Sequence, residues 1–451
     1  MMTTGTTERL AEFAVGLAFE SIPLPVADRV KRQCLDLIGV ALIGSTQSAG
    51  ATASRALDRL GRSGDAVVVW GTPARRSAGH AALVNGINAH VADYDDTWLP
   101  LTHPSAPTIP AALALAEVLG ASGPELLASL LAGYEVMGRL RGAVSGRAGW
   151  HPTGVFGTFA AAAACGRLLG LTPAGMCQAF GIAASSASGI DGHEGTMTKA
   201  FHAGHAARAG LEAALLAGEG YTASDRVFDP GDGFFDAFFR NLSYDDWRVT
   251  NSLGERYYLI DPGVGIKMYP AGYWMQQTFE AVLDIVVQDD LAPADIEWVE
   301  IRTRPGTRFD RPDVRSGLEG KFSLQYMACL AILYRDMTVE SFSDEVALGS
   351  KMQELLMRVS VRVDRSLPSN PDLAHNPVTV RRLDGVERTH TVKRPKSHWQ
   401  YPLEPEQWLG KFRKNSSAIF DDDRIREIEE TILRLEQVDD VRSLTSLLTT
   451  A

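Results

Sequence analysis

Residues 79–105 read Gly79-His-Ala-Ala-Leu-Val-Asn-Gly-Ile-Asn-Ala-His90-Val-Ala-Asp93-Tyr-Asp-Asp-Thr97-Trp-Leu-Pro100-Leu-Thr-His103-Pro104-Ser105. The first half is small and apolar at helical spacing. Asp-Tyr-Asp-Asp-Thr then competes with a helical backbone for hydrogen bonds, and Pro100 and Pro104 stop a helix. The stretch predicts a buried helix running into a rigid polar loop, and loops held on a stiff scaffold are where catalytic groups usually sit. It carries His90, His103, Asp93, Asp95, Asp96 and the hydroxyls of Thr97, Thr102 and Ser105. Taken singly, the aspartates can be caps and turn formers, and His103 an exposed loop residue. A purely structural turn does not need so many titratable groups together.

On either side the pattern stays helical. Residues 6–18, 25–44 and 50–62 read as helices, and Val26, Val30, Cys34, Leu37, Ile38 and Leu42 keep the spacing of a core-facing stripe. Ala66-Val-Val-Val-Trp70 is the clearest strand-like run of the first half. Further helices are expected at about 108–121, 124–142, 153–169, 173–187 and 199–218, two of them opened by proline in the first turn. Alanine and glycine crowd these helices, so they can pack closely. The first part, residues 1–261, is thus expected to be a large all-α domain of antiparallel hairpins.

The character changes near residue 260. A helix is expected over 271–287 and another over 321–334. Asp295–Thr303 and Val359–Asp364 alternate like strands, and two alternating runs flank Asp384-Gly385, a hairpin signal. Residues 262–400 are expected to form a smaller α+β lid domain, and the helical tail, 401–451, to return to the large one. The fold class is therefore mainly α with a smaller α+β domain, as 451 residues exceed one ordinary core.

Composition excludes several functions. The net charge is −11 and no lysine- or arginine-dense tract occurs, which argues against a nucleic-acid surface. Cys34, Cys165, Cys177 and Cys329 are scattered without metal-ligand spacing and read as reduced core thiols of a cytoplasmic protein. No secretory signal and no membrane span are expected. HExxH is absent, so no metal is expected. Gly263-Val-Gly-Ile-Lys-Met-Tyr-Pro-Ala-Gly272 lacks nucleotide-loop spacing.

Other polar groups stand at helix starts. His151, in Gly149-Trp-His-Pro-Thr-Gly154, precedes a helix whose positive end favours an anion. Lys199 leads an alanine-rich helix and either snorkels to solvent or faces a site. His202, His205 and Arg208 share roughly one face of it, as a dimer contact, a core network or a carboxylate site. Lys267 is either solvated or aimed into an interdomain cleft. Tyr326, in Lys321-Phe-Ser-Leu-Gln-Tyr326, is either core or a phenol donor.

Together these blocks, with Asn85, His90 and Asp93-Tyr-Asp-Asp-Thr97 in the right order, resemble the MmgE/PrpD family over nearly the whole chain. That family includes 2-methylcitrate dehydratase, cis-aconitate decarboxylase and iminodisuccinate epimerase. The resemblance implies a helical domain with an α+β lid, usually a homodimer, and no metal or organic cofactor. It places the active site on Asp93, His103 and His151, with Thr97, Lys199, Lys267 and Tyr326 binding substrate. It implies a lyase, a dehydratase or decarboxylase, acting on a small di- or tricarboxylate by His/Lys acid–base chemistry. The alternative it allows is an epimerase of a small dicarboxylate.

Overall fold

The computed structural model describes residues 5–59, 67–98, 102–368, 370, 373–396, 398–401 and 403–450. Leu99–Leu101 of the central loop and Ala66 of the strand-like run lie outside these residues.

The N-terminal part is a stack of helices: α1 (Thr6–Gly16), α2 (Leu24–Ser45), α3 (Ser48–Asp58), α4 (Ala78–Val91), α5 (Ser105–Leu119), α6 (Gly123–Gly142), α7 (Pro152–Leu168), α8 (Pro173–Ser186) and α9 (Met197–Gly218). Local chemistry sets their ends. Ser122 and Glu125 form a capping box at the start of α6, and Gly120 closes α5 in the left-handed conformation. Small residues let the central helices approach. A Cβ on Gly86 of α4 would lie 2.7 Å from the Gly204 Cα of α9. This crossing, and the packing of α9 on α7, bring the C-terminus of α4 and the N-termini of α7 and α9 to one end.

The helical part is not wholly helical. Val67–Val68 (β1) pairs antiparallel with Arg75–Arg76 (β2). The strand-like run stops there because side chains take its backbone: Glu117 accepts from the Val68 amide at 3.3 Å, and Asn85 bonds both Trp70 N and Val68 O at 3.0 Å.

Beyond residue 270 a four-stranded sheet forms from β3 (Ile296–Thr303), β4 (Val359–Val363), β5 (Val378–Arg382) and β6 (Glu387–His390), in the order β4-β3-β5-β6. β3 and β4 are parallel, and the other pairs antiparallel. The Asp384-Gly385 turn joins β5 to β6, with Gly385 at φ +85°. Helices Tyr273–Gln288 and Leu324–Tyr334 share one apolar cluster with β3 and β5, from Ala271 to Val380. Helices Pro405–Ser416 and Asp422–Leu433 near the C-terminal end place Trp408, Phe412, Ile425, Ile428 and Ile432 in the cluster of the N-terminal helices. All four cysteines are buried and free. Among the described residues no single helix is long and apolar enough to cross a membrane.

Candidate active site

α4 ends at Val91, and the chain turns at Asp93, which adopts φ +51°. Aspartate tolerates this left-handed conformation better than most residues. The turn aims the Asp93 carboxylate between two lysines. Lys199, in the first turn of α9, reaches Oδ2 at 3.1 Å, and Lys267 holds Oδ1 at 2.5 Å and the Asp93 carbonyl at 2.9 Å. Burial alone would raise this carboxyl. The two lysines overcome it and hold Asp93 well below the usual carboxylate range.

Lys267 arrives through a short ladder. Thr97 and Gly265 exchange two backbone bonds of 2.8 Å, which fastens the glycine-rich loop to the aspartate loop. Tyr94 adds a bond from its hydroxyl to Met268 O at 3.1 Å.

The histidines are set by their Nδ1 partners. His103 Nδ1 lies 2.8 Å from the Asp96 carbonyl, which only accepts, so Nδ1 carries the proton. Its Nε2 is then a lone-pair nitrogen, 4.0 Å from Asp93 Oδ1. His90 Nδ1 donates to Asp95 Oδ2 at 2.8 Å. His151 caps α7, anchored by its own amide on Gly189 O at 2.9 Å, and its Nδ1 lies 3.1 Å from Nδ1 of His202. Ring centroids run 4.7 Å from His103 to His90, 5.6 Å to His151 and 5.2 Å to His202. Burial, with the lysines and neighbouring rings, holds His103 and His151 well below the usual histidine range. His90, Asp95 and His103 also stand within metal-ligand reach of one another, but the Nδ1 atoms of both rings are already engaged.

Asp93, His103, His151 and Lys199 line one pocket between the helical body and the α+β part, with Tyr273, Trp274, Phe309 and Phe322 opposite. It holds about 40 Å³, room for about one water molecule. Arg147, Trp274 and Phe309 also line a cavity of about 680 Å³, where Arg141, Arg248, Arg304 and Arg308 gather. Burial first, then Arg147 and Arg308, holds Arg304 below the usual guanidinium range.

Three predicted residues stand elsewhere. Lys267 is fully buried behind Asp93 and is spent on it, away from the pocket wall. Thr97 contributes its backbone, and its buried hydroxyl has no partner among the described residues. Tyr326 is not brought to the cluster; its hydroxyl donates to Ser341 O at 2.6 Å inside the α+β part. His202 faces His151, while His205 stacks on Phe201 and Arg208 pairs with Glu212, so these three do not form one group.

Lys321 was not singled out from the sequence. It is buried, donates to Ala92 O and Pro270 O at 2.9 Å, and lies 4.0 Å over Phe342. Burial lowers its ammonium to about 7, against the pull of Asp93. The one signal in the sequence was a lysine at the head of an otherwise apolar helix.

Two family profiles match the chain: the MmgE/PrpD N-terminal domain over residues 8–246 and the MmgE/PrpD C-terminal domain over residues 269–437. The chain is 32% identical to the cis-aconitate decarboxylase of Mus musculus, covering 99% of this chain and 94% of that one. It is 33% identical to that of Homo sapiens, covering 99% and 95%. It is 27% identical to that of Aspergillus terreus, covering 99% and 96%.

Proposed function

The chain belongs to the MmgE/PrpD family and is a lyase, and from that premise we propose that it decarboxylates cis-aconitate or a closely similar tricarboxylate without a cofactor. The observation that supports this most is the convergence of His103, His151, Lys199 and Asp93 on one pocket. Loss of CO₂ from a carboxylate next to a double bond leaves an electron pair spread towards a neighbouring carboxylate. That charge needs a cation, and the carbon needs a proton. Lys199 supplies the cation at the pocket wall, since Asp93 occupies only part of its three-donor head. Asp93 keeps Lys199 aimed, and Lys267 keeps Asp93 in place. The histidines carry the proton. One proton is consumed per turnover: a trianion becomes a dianion and CO₂. Side chains supply each of these roles, so the reading asks for no metal or organic cofactor.

A pocket of about 40 Å³ cannot hold a six-carbon acid. On this reading the wall at Trp274 and Phe309 shifts, and substrate arrives through the arginine-lined cavity beside it. The test is incubation with cis-aconitate and with 2-methylcitrate in D₂O, followed by NMR. CO₂ release with one deuteron in the product is expected from cis-aconitate. Loss of water instead would make the protein a dehydratase. Deuteration with inversion and no elimination would make it an epimerase. His103→Ala is expected to lower kcat by about 100- to 10,000-fold with the fold intact.

A further inference from the structure

We infer that His202 is a positioning residue that fixes His151 as the proton donor of the site, a role that the Asp96 carbonyl denies to a neutral His103. The chemistry rests on the decarboxylase reading above; the tautomers rest on geometry.

Two neutral imidazoles 3.1 Å apart at Nδ1 share one proton, so their tautomers are complementary. When His202 donates, His151 accepts at Nδ1 and its own proton sits on Nε2. His103 has no such choice, because a carbonyl takes its Nδ1 proton. Only His151 can therefore present an N–H to carbon while neutral. His202 is 6% exposed and closely cradled. A Cβ on Gly154 would lie 3.2 Å from His202 Cβ, and one on Gly189, at φ +123°, would lie 3.2 Å from the ring. A side chain at Gly189 would press on the ring, and one at Gly154 would meet the Ser188 carbonyl first. The basic groups about the pair include His90, His103, Lys199, His193 and His205. Asp93 and Glu194 line the same pocket as His151, so the pair stands among carboxylates as well as bases.

The step balances as follows. The C–COO⁻ bond breaks to CO₂ and an electron pair, which takes the proton from His151 Nε2. His151 takes the His202 Nδ1 proton in the same movement and stays neutral. His202 regains a proton on Nε2 from solvent through His193, a half-buried ring 5.7 Å away. When product leaves, water in the opened pocket resets the pair. The relay thus supplies the proton while the pocket is closed and dry.

The test uses full-length enzyme with ¹⁵N-labelled histidine, the His202→Phe and His202→Gln variants, and cis-aconitate as substrate. In the wild type, His151 is expected as the Nε2–H tautomer and His103 as Nδ1–H. His202→Phe is expected to lower kcat about 100-fold, to leave KM unchanged and to enlarge the solvent deuterium isotope effect. His202→Gln, whose amide donates from nearly the same place, is expected to recover about tenfold of that loss. A His151 protonated on Nδ1 in the wild type would overturn the inference. So would a His202→Phe enzyme with unchanged kcat and isotope effect. If His202→Phe does not fold, the wild-type spectra and His202→Gln decide. A wild type that releases no CO₂ ends the decarboxylase reading, and the spectra still decide the tautomers.

Discussion

Asp93 and Asp96 share one turn of chain and titrate in opposite directions. Asp93 has two lysines and is held low; Asp96 has none, and burial lifts its carboxyl to about 8, despite bonds from Ser105. Burial therefore favours the neutral acid at Asp96, and its backbone carbonyl orients His103. Its folded value lies above the unfolded 3.8, so the stability it contributes is complete below 3.8 and is lost as pH rises towards about 8. Asp96→Asn removes this titration. Its melting temperature is expected to fall less than the wild type's between about pH 5 and about pH 9; parallel curves by calorimetry would refute the assignment. The cluster around Asp93 was legible because so many titratable groups crowd one stretch. Lys321 was not, because its partners, Ala92 O and Pro270 O, come from distant segments. Tyr326 shows the converse limit. Helical spacing says which face a phenol occupies, and not that Ser341 O waits there.

The crossing of α4 over α9 is the element on which the site's geometry depends, since it sets His90 and Asp93 against Lys199 and His202. Gly86 stands where added bulk meets Gly204 backbone at 2.7 Å. Gly86→Ala is expected to cost about 1–3 kcal/mol, read as a lower urea midpoint with unchanged slope. A midpoint equal to wild type would mean that the helices separate freely. Helix positions were legible from apolar spacing, because α4 to α9 bury nearly continuous runs of alanine and leucine. Strand partners were less so. Alternation marks β3 and β4 as strands but does not say that they lie parallel. The Val67–Trp70 run has strand composition, yet Asn85 and Glu117 occupy the backbone groups that a longer ladder would need.

At the scale of the molecule, an acidic protein with net charge −11 gathers five arginines about the cavity beside its pocket. A field of that kind raises the local concentration of a polyanion and is screened by salt. kcat/KM for the tricarboxylate is expected to fall as KCl is raised, with kcat nearly constant. A kcat/KM indifferent to salt would remove the arginines from the substrate's approach. The returning C-terminal helix has a further consequence. Lys411 pairs with buried Asp36 at 2.6 Å and donates to Tyr94 O at 2.8 Å, beneath the aspartate loop. A ribosome has thus delivered every pocket-lining histidine, aspartate and lysine well before it delivers the ammonium that neutralises Asp36. Until residues 405–416 have folded back, the aspartate loop lacks the support of Lys411 beneath Tyr94.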